Sequence, residues 1–478
     1  MKNFYVSTSI PYVNGEPHLG HAMEFVMADV LARKARLDGH NVFFSTGTDE
    51  HGGKIAEKAS EMGISSKQLT DNMSAKFQDL AKQLNISNDV FVRTTDEGHQ
   101  KVAQQIWLDL KEDIYKSEYE GWYCTGCESY YSNDEVKANN GICPEHNREY
   151  EKLKEENYFF RLSKYGKNIQ DAIEKNELII LPDSRRNEIL NVIKDGLDDI
   201  SISRPKEKIE WGVPVPGDDT QVMYVWFDAL INYISVLGYP DDNKLKTFWP
   251  ADVQVIGKGI LRHHAAIWPG ILMGVGLPLP EKIYVHGYVN VDGQKMSKSL
   301  GNRVDPFEVI EKYGTDGFRY FFLKHIPSYN DGDFSWDAME AAYNSELANE
   351  LGNAVSRTAA MISRYQDGEI GNLPSPSINP QKYNQDLENC RFDRALEEVW
   401  QHVRGLNQYI EQQQPWSVAK TDDKEKLQQI LAHQVAVLLE IAKLLEPILP
   451  DTSAKINQVF KSGKIQAIDG TLFPKKED

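Results

Sequence analysis

A chain of 478 residues is long for one domain, so we expect about two to four structural units. Hydrophobic residues make up 41 % and charged residues 26 %, as in soluble globular proteins, and no apolar run is long enough to span a membrane. The four cysteines exclude a disulfide framework and favour a reducing cytoplasm, and the early first strand leaves no room for a signal peptide. A net charge of −18 argues against indiscriminate nucleic-acid binding but allows one structured RNA partner held by local basic patches.

The first predicted elements are a strand, a turn and a helix. Residues 4–10 are β-branched and aromatic, and apolar residues recur at helical spacing from position 23 onwards. His18 and His21 stand one helical turn apart where this helix begins. Because a helix N-terminus attracts anions, the turn predicts a phosphate site, and Gly20 would let a flat ligand approach the backbone. The alternative is that both histidines are ordinary cap and surface residues.

From residue 1 to about 115 strands alternate with helices, which predicts a parallel sheet with ligands at the carboxyl ends of its strands. Residues 41–45 predict a second strand, which leads into Asp49 and His51 at the same edge. Taken alone, Asp49 is more typical of a helix cap than of a ligand-binding carboxylate. The alternation resumes near residue 225, so the sheet is predicted to be interrupted by an insertion.

The insertion contains a metal-ligand pattern. Cys124 and Cys127 are separated by two residues, and after fifteen further residues Cys143 and His146 repeat that spacing. This spacing suits a tetrahedral zinc ion, and four protein ligands leave no open position for water. A structural zinc is therefore favoured over a catalytic one, and scattered buried cysteines without metal are the alternative.

A second candidate phosphate site lies further along the chain. Lys295 and Lys298 stand three residues apart in a loop between Gly293 and Gly301. Lysine carries a compact charge that suits an oligophosphate whose charge shifts during a reaction. A solvated basic turn is the alternative.

The remainder of the chain predicts a helical bundle. A connection rich in Gly, Pro and Ser, residues 368–380, follows the first helix. The predicted helices lie near 338–365, 383–411, 424–446 and 452–461.

Two motifs together resemble a known family. His18-Leu19-Gly20-His21 and Lys295-Met296-Ser297-Lys298-Ser299, in this order, resemble the paired signature of the class I aminoacyl-tRNA synthetases. Within that class nearly the whole chain resembles the methionyl-tRNA synthetases. Further motifs that carry this resemblance are residues 46–52, 224–229, 256–258 and 415–416.

The resemblance implies an α/β fold with a Rossmann-type parallel-sheet catalytic domain, an inserted zinc-binding subdomain and a C-terminal α-helical bundle. The expected catalytic domain comprises residues 1–115 and 225–287, and residues 116–224 form the connective insertion with the zinc knuckles. Residues 288–349 would form a lysine-loop and stem-contact linker, and residues 350–478 the anticodon-binding domain.

The implied reaction attaches methionine to its tRNA in two steps. The methionine carboxylate attacks the α-phosphate of ATP and expels pyrophosphate, and the adenylate then acylates the 3′-terminal adenosine. Since attack at phosphorus needs positioning and charge neutralisation, we expect His18, Gly20 and His21 to bind ATP. Lys298, with Lys295 assisting, would stabilise the leaving pyrophosphate together with Mg²⁺, so the catalytic residues would be both histidines and both lysines.

For the amino acid, the family pattern places Asp49 at the α-ammonium group, with the backbone around Ile10 helping. Residue types alone do not choose methionine over leucine, because one methylene is worth only about 1–3 kcal/mol. That choice comes from the resemblance. The residues expected to enclose the methionine side chain are Tyr12, Trp226, Ala229, Tyr233, Ile260 and His264.

In the helical bundle Asn353, Arg357 and Trp416 match the anticodon-binding positions of the family. An indole can stack on an unpaired base, while Arg and Asn offer donors to its edges. The alternative is two helix-surface residues and a buried tryptophan after a proline turn.

Two features depart from the family. Gly259 stands where an acidic residue near the ATP ribose is usual, so that contact is expected to be lost or supplied otherwise. The chain ends at Asp478, without the appended tRNA-binding and dimer-forming domain of some relatives, which predicts a monomer.

Alternative functions predict other sequence features. A cysteinyl-tRNA synthetase would spread its zinc ligands across the catalytic core, and the isoleucyl, valyl and leucyl enzymes carry a much larger insertion. A tRNA-binding paralogue without catalysis would be expected to have damaged signature motifs. A generic dinucleotide-binding protein would need a Gly-x-Gly-x-x-Gly segment after the first strand, and the sequence has none there.

Overall fold

In the computed structural model the chain forms two compact units. The helix that follows the first turn belongs to the second unit. The first unit comprises Met1–Pro17, His40–Asp79 and Asn88–Val285. The second comprises His18–Gly39, Leu80–Ser87 and His286–Asp478. The residues that the structure describes are 2–126, 129–131, 133–144, 147–296, 301–375, 378–421, 423–461, 463–468 and 470–476.

The first unit is built on a six-stranded sheet. Asn3–Thr8 pairs in parallel with both of its neighbours, and Val6 lies opposite Phe44 on one side and Val253 on the other. The parallel sheet predicted from the alternation of strands and helices is therefore confirmed. In spatial order its strands are Val90–Arg93, Asn41–Thr48, Asn3–Thr8, Val253–Gly257, Lys282–His286 and Ile179–Leu181.

The described residues between 114 and 223 add three small antiparallel sheets to the first unit. The four-stranded sheet contains Ile200–Ser201, Glu151–Phe160, Ile114–Cys124 and Ser129–Tyr131. The three-stranded sheet contains Ser203–Pro205, Asp218–Met223 and Pro214–Val215. The two-stranded sheet contains Ile142–Cys143 and Arg148–Glu149.

Helices surround a core in which Tyr5, Phe227, Tyr233 and Trp268 are all buried. Short 3₁₀ turns lie at Lys111–Asp113, Leu162–Tyr165 and Lys258–Ile260, and a π-helical turn lies at His263–Ile267. Ser66–Gln83 runs on into the second unit. The α-helices are Gly53–Glu61, Ser66–Gln83, Glu97–Asp109, Asn133–Ala138, Gly166–Glu174, Asp183–Lys194, Val225–Leu230, Asn232–Ser235, Asn243–Phe248 and Trp268–Gly274.

The second unit combines a small sheet with helices. Val289–Val291 pairs with Gln294–Lys295 on one side and with Gly332–Phe334 on the other. None of the helices in the described ranges is both long and apolar enough to cross a membrane. The α-helices are Leu19–Leu37, Pro306–Lys324, Trp336–Ala342, Asn353–Gln366, Gln381–Glu388, Phe392–Gln413, Pro415–Val418, Lys424–Leu445 and Pro450–Lys461, and Tyr343–Gly352 is a π-helix.

The predicted helix over residues 383–411 is wrong in one respect. It consists of two helices, Gln381–Glu388 and Phe392–Gln413, separated at Cys390 by a left-handed φ of 54°. The φ of Cys390 breaks the helical hydrogen-bond ladder, although no glycine or proline marks the break in the sequence.

Candidate active site

The predicted position of the two histidines at a helix start is confirmed. Nδ1 of His18 accepts from the backbone N–H groups of Gly20 (3.1 Å) and His21 (3.4 Å), and Nδ1 of His21 accepts from the His18 N–H (3.4 Å). Each ring therefore carries its proton on Nε2. The rings stack with their centroids 3.6 Å apart. A Cβ at position 20 would lie 3.0 Å from Cε1 of His18, so glycine leaves room for this capping ring.

Both imidazoles are neutral at pH 7. Burial lowers the pKa of His18 to about 4, and the positive charge of Arg303 lowers it further, against the opposing effect of its backbone hydrogen bond. Burial and the neighbouring His18, Arg303 and His286 hold the pKa of His21 well below its ordinary value. The pair can therefore offer two Nε2–H donors to phosphate oxygens, with Arg303 as the nearby cation. Sequence reasoning missed Arg303, although a basic residue directly after the lysine loop was a visible signal.

Of the two predicted lysines, the structure describes only one. Lys295 is exposed on the strand Gln294–Lys295, and its Nζ lies 5.4 Å from the centroid of the Tyr288 ring. Its backbone carbonyl accepts a hydrogen bond from Nδ2 of Asn302 (3.2 Å). Lys298 lies outside the described residues.

The structure brings Tyr12 and Asp49 together at the end of the parallel sheet. The two residues form a parallel bridge, in which the Val13 N–H donates to the Asp49 carbonyl (3.1 Å) and the Asp49 N–H to the Pro11 carbonyl (2.9 Å). Asp49 is buried, and Tyr12 and Ile10 are partly buried. The backbone pairing thus places Asp49 opposite Tyr12, with which the sequence analysis grouped it.

A second group of predicted residues is joined by hydrogen bonds. Nδ1 of His264 faces the Ile260 carbonyl at 2.9 Å, and Nε2 lies 2.7 Å from the hydroxyl of Tyr233. Because a carbonyl only accepts, Nδ1 carries the proton and Nε2 accepts from the tyrosine. Burial lowers the pKa of His264 to about 4, so the ring is neutral and presents no charge to an apolar ligand.

Trp226 and Ala229 lie on the helix Val225–Leu230. The Trp226 indole is partly buried and stacks on His263, with ring centroids 3.7 Å apart and planes 18° from parallel. Burial holds the pKa of His263 well below its ordinary value, so two neutral rings stack. Ala229 is buried, and its carbonyl accepts from Nδ2 of Asn232 (2.7 Å). The sequence assigned His263 no role, and only the fold shows that it supports the tryptophan.

Gly259 has no side chain that could replace the carboxylate expected near the ATP ribose. Gly259 is exposed in the short turn Lys258–Ile260.

The predicted zinc ligands can be followed only in part. Cys124 and Cys143 are fully buried and belong to one small cluster with Val136 and Tyr150. Within the described ranges no three His, Cys, Asp or Glu side chains are grouped so that they could hold a metal. Cys127 and His146 lie outside those ranges. Two buried cysteines within one small core match part of the donor set of a structural zinc.

The three predicted anticodon residues come together in the second unit. Asn353 and Arg357 are one turn apart on the helix Asn353–Gln366, and Asn353 is exposed. The Arg357 guanidinium lies 5.2 Å from the centroid of the Trp416 ring, and its Nη1 donates to Glu411 (2.9 Å). Trp416 is only partly buried, so part of its ring remains accessible to a ligand.

Comparisons with known proteins assign this chain to a class of enzymes. A family model described as "tRNA synthetases class I (M)" matches residues 4–153 and 147–359. A second model, described as "Anticodon binding domain of methionyl tRNA ligase", matches residues 377–470. The fold and its paired signature are those of the class I aminoacyl-tRNA synthetases.

Individual relatives identify the branch of that class. The methionine--tRNA ligase of Caldanaerobacter subterraneus is 45 % identical over 474 residues, which is 95 % of this chain and 73 % of the relative. That of Thermotoga maritima is 42 % identical over 472 residues, 95 % of this chain and 74 % of the relative. The structure of Mycobacterium tuberculosis methionyl-tRNA synthetase in complex with methionyl-adenylate superposes with a TM-score of 0.93 at 35 % identity, over 99 % of this chain and 100 % of that one. The chain belongs to the methionyl-tRNA synthetase family.

Proposed function

We propose that this chain attaches methionine to its cognate tRNAs, initiator and elongator, by way of methionyl-adenylate at the expense of ATP. The observation that carries the proposal is the similarity over 99 % of the chain to a synthetase whose structure contains methionyl-adenylate. The chain's membership of a synthetase family supports the activation of methionine. The match of its helical bundle to an anticodon-binding domain supports the transfer to tRNA.

In the first step His18 and His21 would bind the phosphates of ATP. Their neutral rings can each donate from Nε2, and at Gly20 a nucleotide can approach the helix start closely. Lys298, assisted by Lys295, would neutralise the charge that develops on pyrophosphate, to which Mg²⁺ contributes when bound with ATP. The protein thus needs only to position the reactants and stabilise charge.

In the amino acid site Asp49 would pair with the α-ammonium group of methionine, and the backbone at Ile10 would assist. The neutral pair of Tyr233 and His264 suits an uncharged side chain. Aromatic rings also attract a thioether sulfur. The remaining residues proposed to enclose the side chain are Tyr12, Trp226, Ala229 and Ile260.

The tRNA would be recognised through its anticodon. Trp416 offers a partly exposed ring on which an unstacked base can lie, and Arg357 and Asn353 offer donors to the base edges. In the free protein Arg357 is paired with Glu411, so a bound base would compete with this carboxylate.

One structural zinc would be held by Cys124, Cys127, Cys143 and His146, and it would stabilise the small subdomain around them.

We also propose that the chain acts as a monomer in the cytoplasm. The low cysteine content supports a reducing compartment. The large hydrophobic side chains that are exposed among the described residues come from six different segments of the chain, which supports a monomer: Leu37, Met62, Leu108, Ile142, Ile179 and Leu373.

The proposed activity is tested by ATP–pyrophosphate exchange that depends on methionine. We expect exchange with methionine and none with cysteine, and the reverse result would overturn the substrate assignment. Lys298→Ala should lower kcat for exchange by about a hundredfold to a thousandfold with little change in methionine affinity. Lys101→Ala is the matched control, because Lys101 is exposed and pairs with Glu97 on its own helix (2.6 Å).

A further inference from the structure

We propose that Asp228 is a positioning residue for the methionine site. Asp228 is 1 % exposed, and its carboxylate lies between two histidines from distant parts of the chain. Oδ2 accepts from Nδ1 of His51 (2.7 Å), and Oδ1 accepts from Nε2 of His99 (3.0 Å). The inference deepens the proposed function and rests on it.

The bond between Asp228 and His51 joins the two segments that carry the proposed amino acid contacts. His51 follows two residues after Asp49, whose backbone forms the bridge to Tyr12. Asp228 stands between Trp226 and Ala229 on one short helix. The carboxylate therefore sets the distance between the proposed ammonium ligand and the residues that would enclose the methionine side chain.

His99 links the helix Val225–Leu230 to the residues that follow it. Its Nδ1 lies 2.9 Å from Oγ of Ser235, which in turn donates to the Asn232 carbonyl (3.2 Å). Asn232 Nδ2 donates to the carbonyl of Ala229 (2.7 Å). This series of hydrogen bonds begins at Asp228 and ends at Ala229, the next residue in the chain. Rotation of the Asp228 carboxylate would therefore break the first bond of the series and weaken the support of the helix that carries Ala229.

The pair of histidines keeps this buried carboxylate ionised. Burial by itself would raise the pKa of Asp228, but the charges and hydrogen bonds of His51 and His99 lower it to about 2. An asparagine at position 228 has the same size but only one acceptor oxygen. Its amide nitrogen would face a ring nitrogen that now donates, so one of the two bonds would be lost.

The test compares Asp228→Asn with Asp316→Asn in the exchange assay. Asp316 is the matched control, because it is also a buried carboxylate that accepts from Thr452 N and Oγ1 (both 2.6 Å), and it belongs to the second unit. We expect Asp228→Asn to raise KM for methionine about tenfold to a hundredfold while KM for ATP stays the same. Asp316→Asn should lower Tm without selective change in either KM.

Two variants of His51 keep the proposal testable if Asp228→Asn does not fold. His51→Asn retains a donor where Nδ1 stood and should restore most of the methionine affinity that His51→Ala loses. The proposal is overturned if Asp228→Asn leaves KM for methionine unchanged, or if both KM values rise together as Tm falls. It is also overturned if His51→Asn and His51→Ala behave alike. A wild-type chain without methionine-dependent exchange would instead refute the proposed function itself.

Discussion

Replacement of Arg319 by methionine should destabilise the second unit strongly. Arg319 and Asp29 are both fully buried, with Nη1 of the arginine 2.8 Å from Oδ2 of the aspartate. The guanidinium also donates to the backbone carbonyls of Ile448 (2.7 Å), Leu84 (3.1 Å) and Pro447 (3.2 Å). One side chain thus joins the helix that begins after His18 to the last part of the bundle.

The loss of unfolding free energy follows from the buried acceptors that the substitution leaves without a donor. Methionine fills most of the volume, so the cavity contribution is small, but three carbonyls and one carboxylate lose a buried donor. Breaking a buried pair costs about 3–5 kcal/mol. Asp29 keeps its bonds from Arg33 Nε (2.7 Å) and Ser87 N (2.7 Å), which favours the lower end of that range. About 3 kcal/mol corresponds to a fall in Tm of roughly 6–12 °C for a unit of this size.

The Tm values of Arg319→Met and of the control Arg33→Met can be compared by differential scanning calorimetry. Arg33 bonds to the same oxygen of Asp29, but its side chain is 21 % exposed, so water can replace part of what is lost and its removal should cost less than that of Arg319. The double variant Asp29→Asn/Arg319→Met should be less destabilised than the sum of the single variants. Equal Tm values for Arg319→Met and Arg33→Met, or a strictly additive double variant, would refute the reasoning.

Three further predictions concern the sites. Stability should be full above pH 6.5 and fall as the pH drops towards 4, because the lowered pKa of His18 makes the unfolded chain bind more protons in that window. Thermal melts against pH measure this, and His18→Asn, which keeps a cap acceptor, should reduce the slope; an identical slope contradicts the assignment. Trp416→Ala should weaken tRNA charging and leave pyrophosphate exchange intact, whereas equal loss in both assays would indicate a structural role. Metal analysis should give one zinc per chain, and an active, zinc-free protein would exclude the knuckle site.

Local patterns were sufficient to predict much of the fold. Strand–helix alternation predicted the parallel sheet, and the spacing of His18 and His21 placed both at a helix start. Asn353 and Arg357 share a helix face because residues four apart always do. The sequence by itself determined these features because they depend on neighbouring residues, although the helical pattern over 383–411 did not reveal the break at Cys390.

The tertiary structure decided protonation, hydrogen-bond partners and the groups that support the site. The neutrality of His18 comes from burial, and Nε2 of His264 accepts its hydrogen bond from Tyr233, which is far away in the sequence. No local pattern marked His51 and His99 as partners of Asp228. Desolvation and pairwise contacts depend on which distant segments pack together, and this information enters only when the chain is folded.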